Sequence, residues 1–372
     1  MELTIERGAL LRSLGHVQSV VERRNTIPIL SNVLIDATEG GVSFTATDLD
    51  LAVVDTVEAE VKQTGATTVP AHTLHDIVRK LPDGAQVSIA LDADGAKVKL
   101  AAGRSKFTLA CLPRDDFPVM SEGDMPFRFD LDAADLKRLV DKTRFAISTE
   151  ETRYYLNGIY LHAAETEGVQ MLRAVATDGH RLARVELPLP EGATGLPGVI
   201  IPRKTVSELR KLIEENDEAI TIALSDTKIR FAFRNAIVTS KLIDGTFPDY
   251  GRVIPSGNDK SLEVDTKLFS DAVDRVSTIS TDKSRAVKME LDADRLTLSA
   301  TSPENGTATE EISVSYGAGD LTIGFNSRYM LDIADEIEGD VARFQFADAA
   351  APTLVLDSAD EGALYVLMPM RV

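Results

Sequence analysis

The sequence predicts an α+β fold told three times over, and three observations carry that prediction. A strand-like run passes directly into an amphipathic helix at Leu3-Thr4-Ile5, again at Phe127-Arg128-Phe129-Asp130-Leu131, and again at Leu262-Glu263-Val264. A second amphipathic helix follows in each copy, and short runs of alternating polarity fill the intervals. The copies recur at roughly 125 residues, an ordinary domain length.

The first helix of the first copy places Leu10, Leu11, Leu14, Val17, Val20 and Val21 at helical spacing. Its counterparts carry Leu136, Leu139, Val140 and Phe145, then Leu268, Phe269, Ala272, Val273 and Val276. Asp132 and Asp265 stand where an N-cap side chain would accept a backbone N–H. The second helices follow Thr68-Val69-Pro70, Ile200-Ile201-Pro202 and Ile323-Gly324-Phe325, and Pro or Asn at these points suits a helix start. Their apolar faces are Leu74, Ile77, Val78 and Leu81; Val206, Leu209, Leu212 and Ile213; and Tyr329, Leu331, Ile333, Ala334 and Ile337. Each runs into a short strand, at 87–91, 220–224 and 342–346. Further strands are expected at 42–45 and 98–100, at 229–231 and 238–241, and at 296–298 and 354–356. Boundaries near Met125-Pro126 and within 251–258 give domains 1–126, 127–252 and 253–372. A sheet buries one face against another layer, so the helices must cover one side of the sheets.

Net charge is −19 over 372 residues, which argues against tight nucleic-acid binding through an outer surface. The basic residues nevertheless gather on the helices. Arg7, Arg12, Arg23, Arg24, Arg79 and Lys80 lie in the first copy; Lys137, Arg138, Lys142, Arg144, Arg203, Lys204, Arg210 and Lys211 lie in the second. The third has fewer: Lys267, Arg275 and Arg328. Collected on one side, they would make a mildly basic face able to follow phosphates without reading bases. One cysteine, Cys111, excludes an internal disulfide framework and fits a reducing cytosol. The N-terminal residues lack a signal-peptide pattern, and no apolar run approaches the roughly 20 residues of a membrane helix.

The most unusual stretch is Thr177-Asp178-Gly179-His180-Arg181-Leu182, between two strand-like runs. Asp178-Gly179 supplies turn chemistry. Asp178, His180 and Arg181 also admit a hydrolase-type acid–base reading. Against it stand the missing nucleophile elbow, zinc helix and phosphate loop. His72 and His75 have no further ligands in view and read as helix surface. A scaffold binding only proteins is a third reading, but it needs no gathered basic helices.

The whole chain resembles the bacterial sliding clamps, the beta subunits of DNA polymerase III. The strings that carry the resemblance are Arg153-Tyr154-Tyr155-Leu156-Asn157-Gly158, the turn 177–182, Ser240 to Tyr250, and Tyr365 to Val372, with 26–30 and 45–49 near the start. The resemblance implies three similar domains per chain, two chains joined head to tail in a ring, helices lining a hole and sheets outside. Duplex DNA would pass through the hole. The ring would tether the replicative polymerase and dock a clamp loader, with no cofactor and no chemistry of its own. Other polymerases and repair proteins would share the same docking pocket.

The family's peptide pocket maps onto Leu156, Thr177, Gly179, His180, Arg181 and Leu182, onto Pro248, Arg252 and Val253, and onto Val366, Leu367, Met368, Pro369, Met370 and Arg371. Leu, Val, Pro and Met would form an adaptable trough, with Arg181 and His180 as rim donors. DNA contact maps onto Arg24, Tyr154, Arg203 and Lys204. The ring interface maps onto Arg104, Lys106, Phe107 and Leu109 in the first domain, and Ile279, Glu304, Glu310 and Glu311 in the third. Two departures stand out: Gly251 where relatives carry Arg, and Glu150 where a glutamine contacts DNA.

Overall fold

Each first helix follows its strand without a loop, and each is twelve residues long: α1 (Arg7–Gln18), α3 (Ala133–Arg144) and α5 (Thr266–Ser277). The second helices are α2 (Ala71–Lys80), α4 (Arg203–Glu214) and α6 (Ser327–Ala334). They are seen in a computed structural model, which describes residues 1–121, 123–280 and 284–372. Asp265 caps α5 by accepting the Leu268 N–H, as the sequence predicts. Glu6 caps α1 and Asn326 caps α6 in the same way. The core falls at the same places in the first helices: Leu10, Leu14 and Val17; Leu136 and Val140; Phe269, Val273 and Val276. Leu268 departs from expectation. It is exposed, because the helical repeat that buries Phe269 turns its neighbour outward.

All sheets are antiparallel. Residues 1–137, 190–197 and 204–242 form one compact unit. It holds a five-stranded sheet in the order Glu60–Gln63, Glu2–Glu6, Gln86–Leu91, Lys97–Ala102, Ser105–Ala110. It also holds an eight-stranded sheet in which Ala236–Lys241, from the second repeat, pairs with Leu51–Val57 from the first. Residues 138–189, 198–203 and 243–372 form the other unit. Its nine-stranded sheet pairs Arg181–Pro188 of the second repeat with Asp360–Leu367 of the third. A four-stranded sheet in this unit runs Gly306–Ser313, Arg295–Ser302, Ala286–Asp292, Leu321–Asn326. Compactness thus divides the second repeat, because its strands hydrogen-bond to both neighbours in sequence. No helix among the described residues is long and apolar enough to cross a membrane.

Much of the helical basic charge is spent inside the fold. Arg7 donates to Val78 O and Arg79 O and pairs with Asp83 at 2.7 Å. Arg138 forks onto Asp360. Lys142 is buried among Asp357, Asp360 and Glu338. His72 is a structural residue, bonded to Gln18 and to Val21 O at 2.9 Å each.

Beside Lys142, Glu336 sits in a part-buried site. Burial first, and then the Asp141 carboxylate, raise its carboxyl to about 7, against Arg144 and Lys142. Its folded value lies above the unfolded one, so the native state binds the proton more tightly. The stability contributed is present below about 4.5 and lost as pH rises through about 7. Glu336→Gln is therefore expected to stabilise the protein at pH 8 by about 1–2 kcal/mol, discounted for solvent screening, and to change little at pH 5. Urea unfolding at the two pH values checks this; an equal effect at both would refute it.

Candidate peptide-binding groove

The pairing of Arg181–Pro188 with Asp360–Leu367 sorts the candidate residues onto two faces. Successive side chains of a strand point to opposite sides. Leu182 lies across from Val366 on one face, and Arg181 across from Leu367 on the other. On the first face, Leu156, Leu182 and Val366 join Val175, Ile200, Phe247 and Leu364 in one buried apolar cluster. Leu354, Leu356, Tyr155, Tyr250 and Ile254 pack against it, only partly buried. Val253 and Met368 hold apolar surface in water, 46% and 37% exposed. Pro248 and Arg252 are exposed on the segment that carries Val253, and Arg252 pairs with Asp249 at 2.8 Å.

That segment is pinned from behind. The Tyr160 ring stacks on Phe247 at 4.8 Å and on His162 at 4.6 Å. Tyr250 Oη accepts from Arg173 at 2.9 Å and bonds His162 Nε2 at 2.9 Å. Burial holds the His162 imidazole below its ordinary range, so it is neutral at pH 7. Arg173 in turn pairs with buried Glu186 at 2.7 Å. A polar network so fully satisfied fixes one geometry for the wall it supports. Gly251 needs no glycine conformation, and an added Cβ would meet only Asp249 Oδ1 at 3.4 Å, so the position tolerates a side chain.

The turn closes the other side. Thr177 Oγ1 donates to Arg181 O at 2.7 Å, and Asp178 Oδ1 accepts from the His180 and Arg181 N–H groups. Gly179 has φ +87°, a conformation that side chains rarely adopt, so the turn demands glycine there. The chain's last residues are tied to both sheets of this unit. Met368 N donates to His180 O at 2.9 Å, and Met370 N to Gly324 O at 2.7 Å. Pro369 and Met370 are partly buried between these ties, whereas Arg371 is exposed. The tail passes so close that a Cβ on Gly324 would lie 2.2 Å from Val372 Cγ1.

Several expectations need correction. Arg181 lies on the face opposite Leu182, largely buried, and lines an open cavity there with His180. It pairs with Asp332, donates to Phe145 O at 2.6 Å and lies 4.3 Å over the Tyr329 ring. Leu367 shares that face and is buried. Asp178 is spent on its turn and on Arg181, which removes the acid–base cluster. Lys204, whose side chain is 36% exposed, pairs with Asp48 and donates to Val20 O at 3.1 Å. Glu150 accepts from Thr152 and pairs with Arg153, which lower its pKa. Phe247 and Leu364 belong to the same apolar cluster, and Tyr250 and Leu354 pack against it, outside the residues the sequence assigned to the pocket. The alternation of Thr353–Asp357 was a signal for Leu354, and Phe247 and Tyr250 stand inside a string already singled out.

Family models of the DNA polymerase III beta subunit match the chain in order: the N-terminal domain over residues 1–121, the central domain over 130–249 and the C-terminal domain over 251–371. The chain belongs to the DNA polymerase III beta subunit family. It is 56% identical over 372 residues to the beta sliding clamp of Caulobacter vibrioides, and 38% over 375 residues to that of Escherichia coli, with all of each chain covered. Among solved structures it matches a sliding clamp from Bartonella birtlesii bound to griselimycin, at TM-score 0.97 and 52% identity with 100% of both chains covered. A Caulobacter crescentus clamp matches at TM-score 0.93 and 55% identity, again over 100% of both. The fold is therefore the three-domain clamp fold, and the beta subunit is the polymerase's non-catalytic processivity factor.

The remaining beta-subunit candidates occupy two further settings. Arg24 is exposed in the loop after α1. Tyr154 is 53% exposed, edge-on to Tyr155. Arg203 lines an open cavity of about 430 Å³ with Arg144, Arg153, Arg328 and His180. Arg104, Lys106 and Phe107 lie on or beside Ser105–Ala110, which is the last strand of its sheet. Leu109 on that strand is buried in its own domain. Glu310 and Glu311 lie on Gly306–Ser313, again the last strand of a sheet; Glu304 is exposed in the turn before it, and Ile279 is partly exposed just after α5. Glu310 is already held by Arg275 at 2.5 and 2.9 Å.

Proposed function

We propose that two copies close head to tail into a ring that encircles duplex DNA and slides along it. Its domains are 1–126, 127–252 and 253–372. The observation that carries this is the pair of outer strands. Within the chain, Leu51–Val57 pairs with Ala236–Lys241, and Arg181–Pro188 pairs with Asp360–Leu367, each joining one repeat to the next. Gly306–Ser313 of the third repeat and Ser105–Ala110 of the first are the corresponding strands, and each ends its sheet among the described residues. A heterologous contact between them, repeated once in a second copy, satisfies both edges and closes the assembly. Lys106 and Arg104 would then face Glu304 and Glu311, with Phe107 and Ile279 between.

The groove takes short apolar peptides from the replicative polymerase's catalytic subunit, from the clamp loader, and from other polymerases and repair proteins. Val253, Met368, Pro248 and the margin of the Leu182–Val366 cluster supply the contact surface. Arg24, Tyr154 and Arg203 supply weak, sequence-independent phosphate contacts, and topology retains the DNA. The test is to load the protein with its clamp loader onto nicked circular DNA and then linearise the circle. Release from the ends is expected. Retention on linear DNA overturns the ring.

A further inference from the structure

The three first helices superpose by their buried positions, and the tenth residue of each is basic: His16, Lys142 and Arg275. In two cases this residue reaches an acid in the loop after the next repeat's second helix. His16 Nε2 lies 3.2 Å from Glu215, which follows α4. Lys142 Nζ lies 3.1 Å from Glu338, which follows α6. The acid stands two residues beyond the buried Ile213 in the first case; it stands one residue beyond the buried Ile337 in the second, where the segment from that isoleucine to the next strand is three residues shorter. The inner half of the His16 contact is Asp55, at 2.6 Å, on the strand that joins the next repeat. Arg275 has the same inner half: it forks onto Glu310, on the outer strand of the third repeat. Its outer half has no counterpart within the three repeats of residues 1–372.

The repeat that follows the third in a ring is the first repeat of a second copy. There, two residues beyond the last core position Leu81 of α2, stands Asp83. Its side chain is 95% exposed, touched only at its edge by Arg7, and Arg275 is 55% exposed. We propose that Arg275 of one copy bridges Asp83 of the other, completing a basic latch that recurs once at every junction between repeats. This rests on the ring reading and adds to it the residues that lock its intermolecular joints. Arg275 keeps Glu310 while doing so, as His16 keeps Asp55. The latch residues grade in character: the intermolecular one is the guanidinium, which forks between two carboxylates without losing its charge.

Mixing charge-reversed chains tests the bridge in trans. Arg275→Asp alone and Asp83→Arg alone each place like charges at both joints of a homodimer, and each is expected to raise the dimer dissociation constant at least about tenfold. In a one-to-one mixture, the heterodimer has one reversed pair and one native pair. It is expected to return to within about threefold of the unaltered protein. Sedimentation of the three samples, with circular dichroism to confirm folding, gives the readout. Single variants that weaken the dimer without rescue on mixing overturn the bridge, because an in-chain role cannot be rescued by another chain. Single variants with no effect overturn it as well. An unaltered protein that sediments as a monomer at micromolar concentration overturns the ring reading itself.

Discussion

Lys142→Met is expected to cost about 3 kcal/mol of stability, the low end of what breaking a buried ion pair costs. Lys142 is 3% exposed, and its ammonium lies 3.1 Å from Asp360 and 3.6 Å from Asp357, whose side chain is wholly buried. Burial alone would lower the Lys142 pKa, but Asp360 and Glu338 outweigh it and raise the value, so the group is charged at neutral pH. Methionine fills the space and removes the charge. Asp360 keeps Arg138. Asp357 keeps the N–H groups of Glu338, Gly339 and Ala359 at 2.8–3.1 Å, but no cation. Those surviving donors hold the cost near the lower limit. The comparison is Lys267→Met, which breaks the exposed α5 pair with Asp271 at 2.8 Å and is expected to cost at most about 0.5 kcal/mol. Urea unfolding of both variants at pH 7 decides the matter. Equal costs would mean that Lys142 is a surface charge in effect and not a structural one.

The same residue shows where sequence reading stopped. Period and capping made the repeats legible: the helices, their core faces and the Asp265 cap all follow from local spacing. The conclusion that helical Lys and Arg form an open basic face did not follow for Arg7, Lys142 or Lys204. Their partners, such as Asp83, Asp357 and Asp48, lie far away in sequence, and only the strand pairing brings them near. Arg181 is the sharpest case. It neighbours Leu182 in sequence, so a motif assigns both to one site, yet the pleat sends them to opposite faces. Conversely, Leu364 has no motif of its own. It joins the apolar cluster because Arg181–Pro188 and Asp360–Leu367 pair in one particular register.

Met368→Asp is expected to weaken binding of a polymerase-derived clamp peptide at least about 100-fold without dissociating the dimer. The fold uses Met368 through its backbone, whose N–H donates to His180 O, and aspartate keeps that bond. The side chain is 37% exposed, at the end of the strand that carries Val366 into the apolar cluster. A peptide that covers it gains about 1.5–3 kcal/mol from the apolar surface removed from water. Aspartate loses that gain and adds the cost of desolvating a carboxylate, which brings the total loss to at least about 3 kcal/mol. Met368→Leu keeps volume and polarity and is expected to bind within about threefold of the unaltered protein. Fluorescence anisotropy with a labelled peptide, beside sedimentation of the same samples, separates the two roles. Aspartate binding within threefold would remove the tail from the groove. Loss of the dimer together with the peptide would show that the last residues serve the ring, and that the contact surface lies instead around Val253 and Pro248.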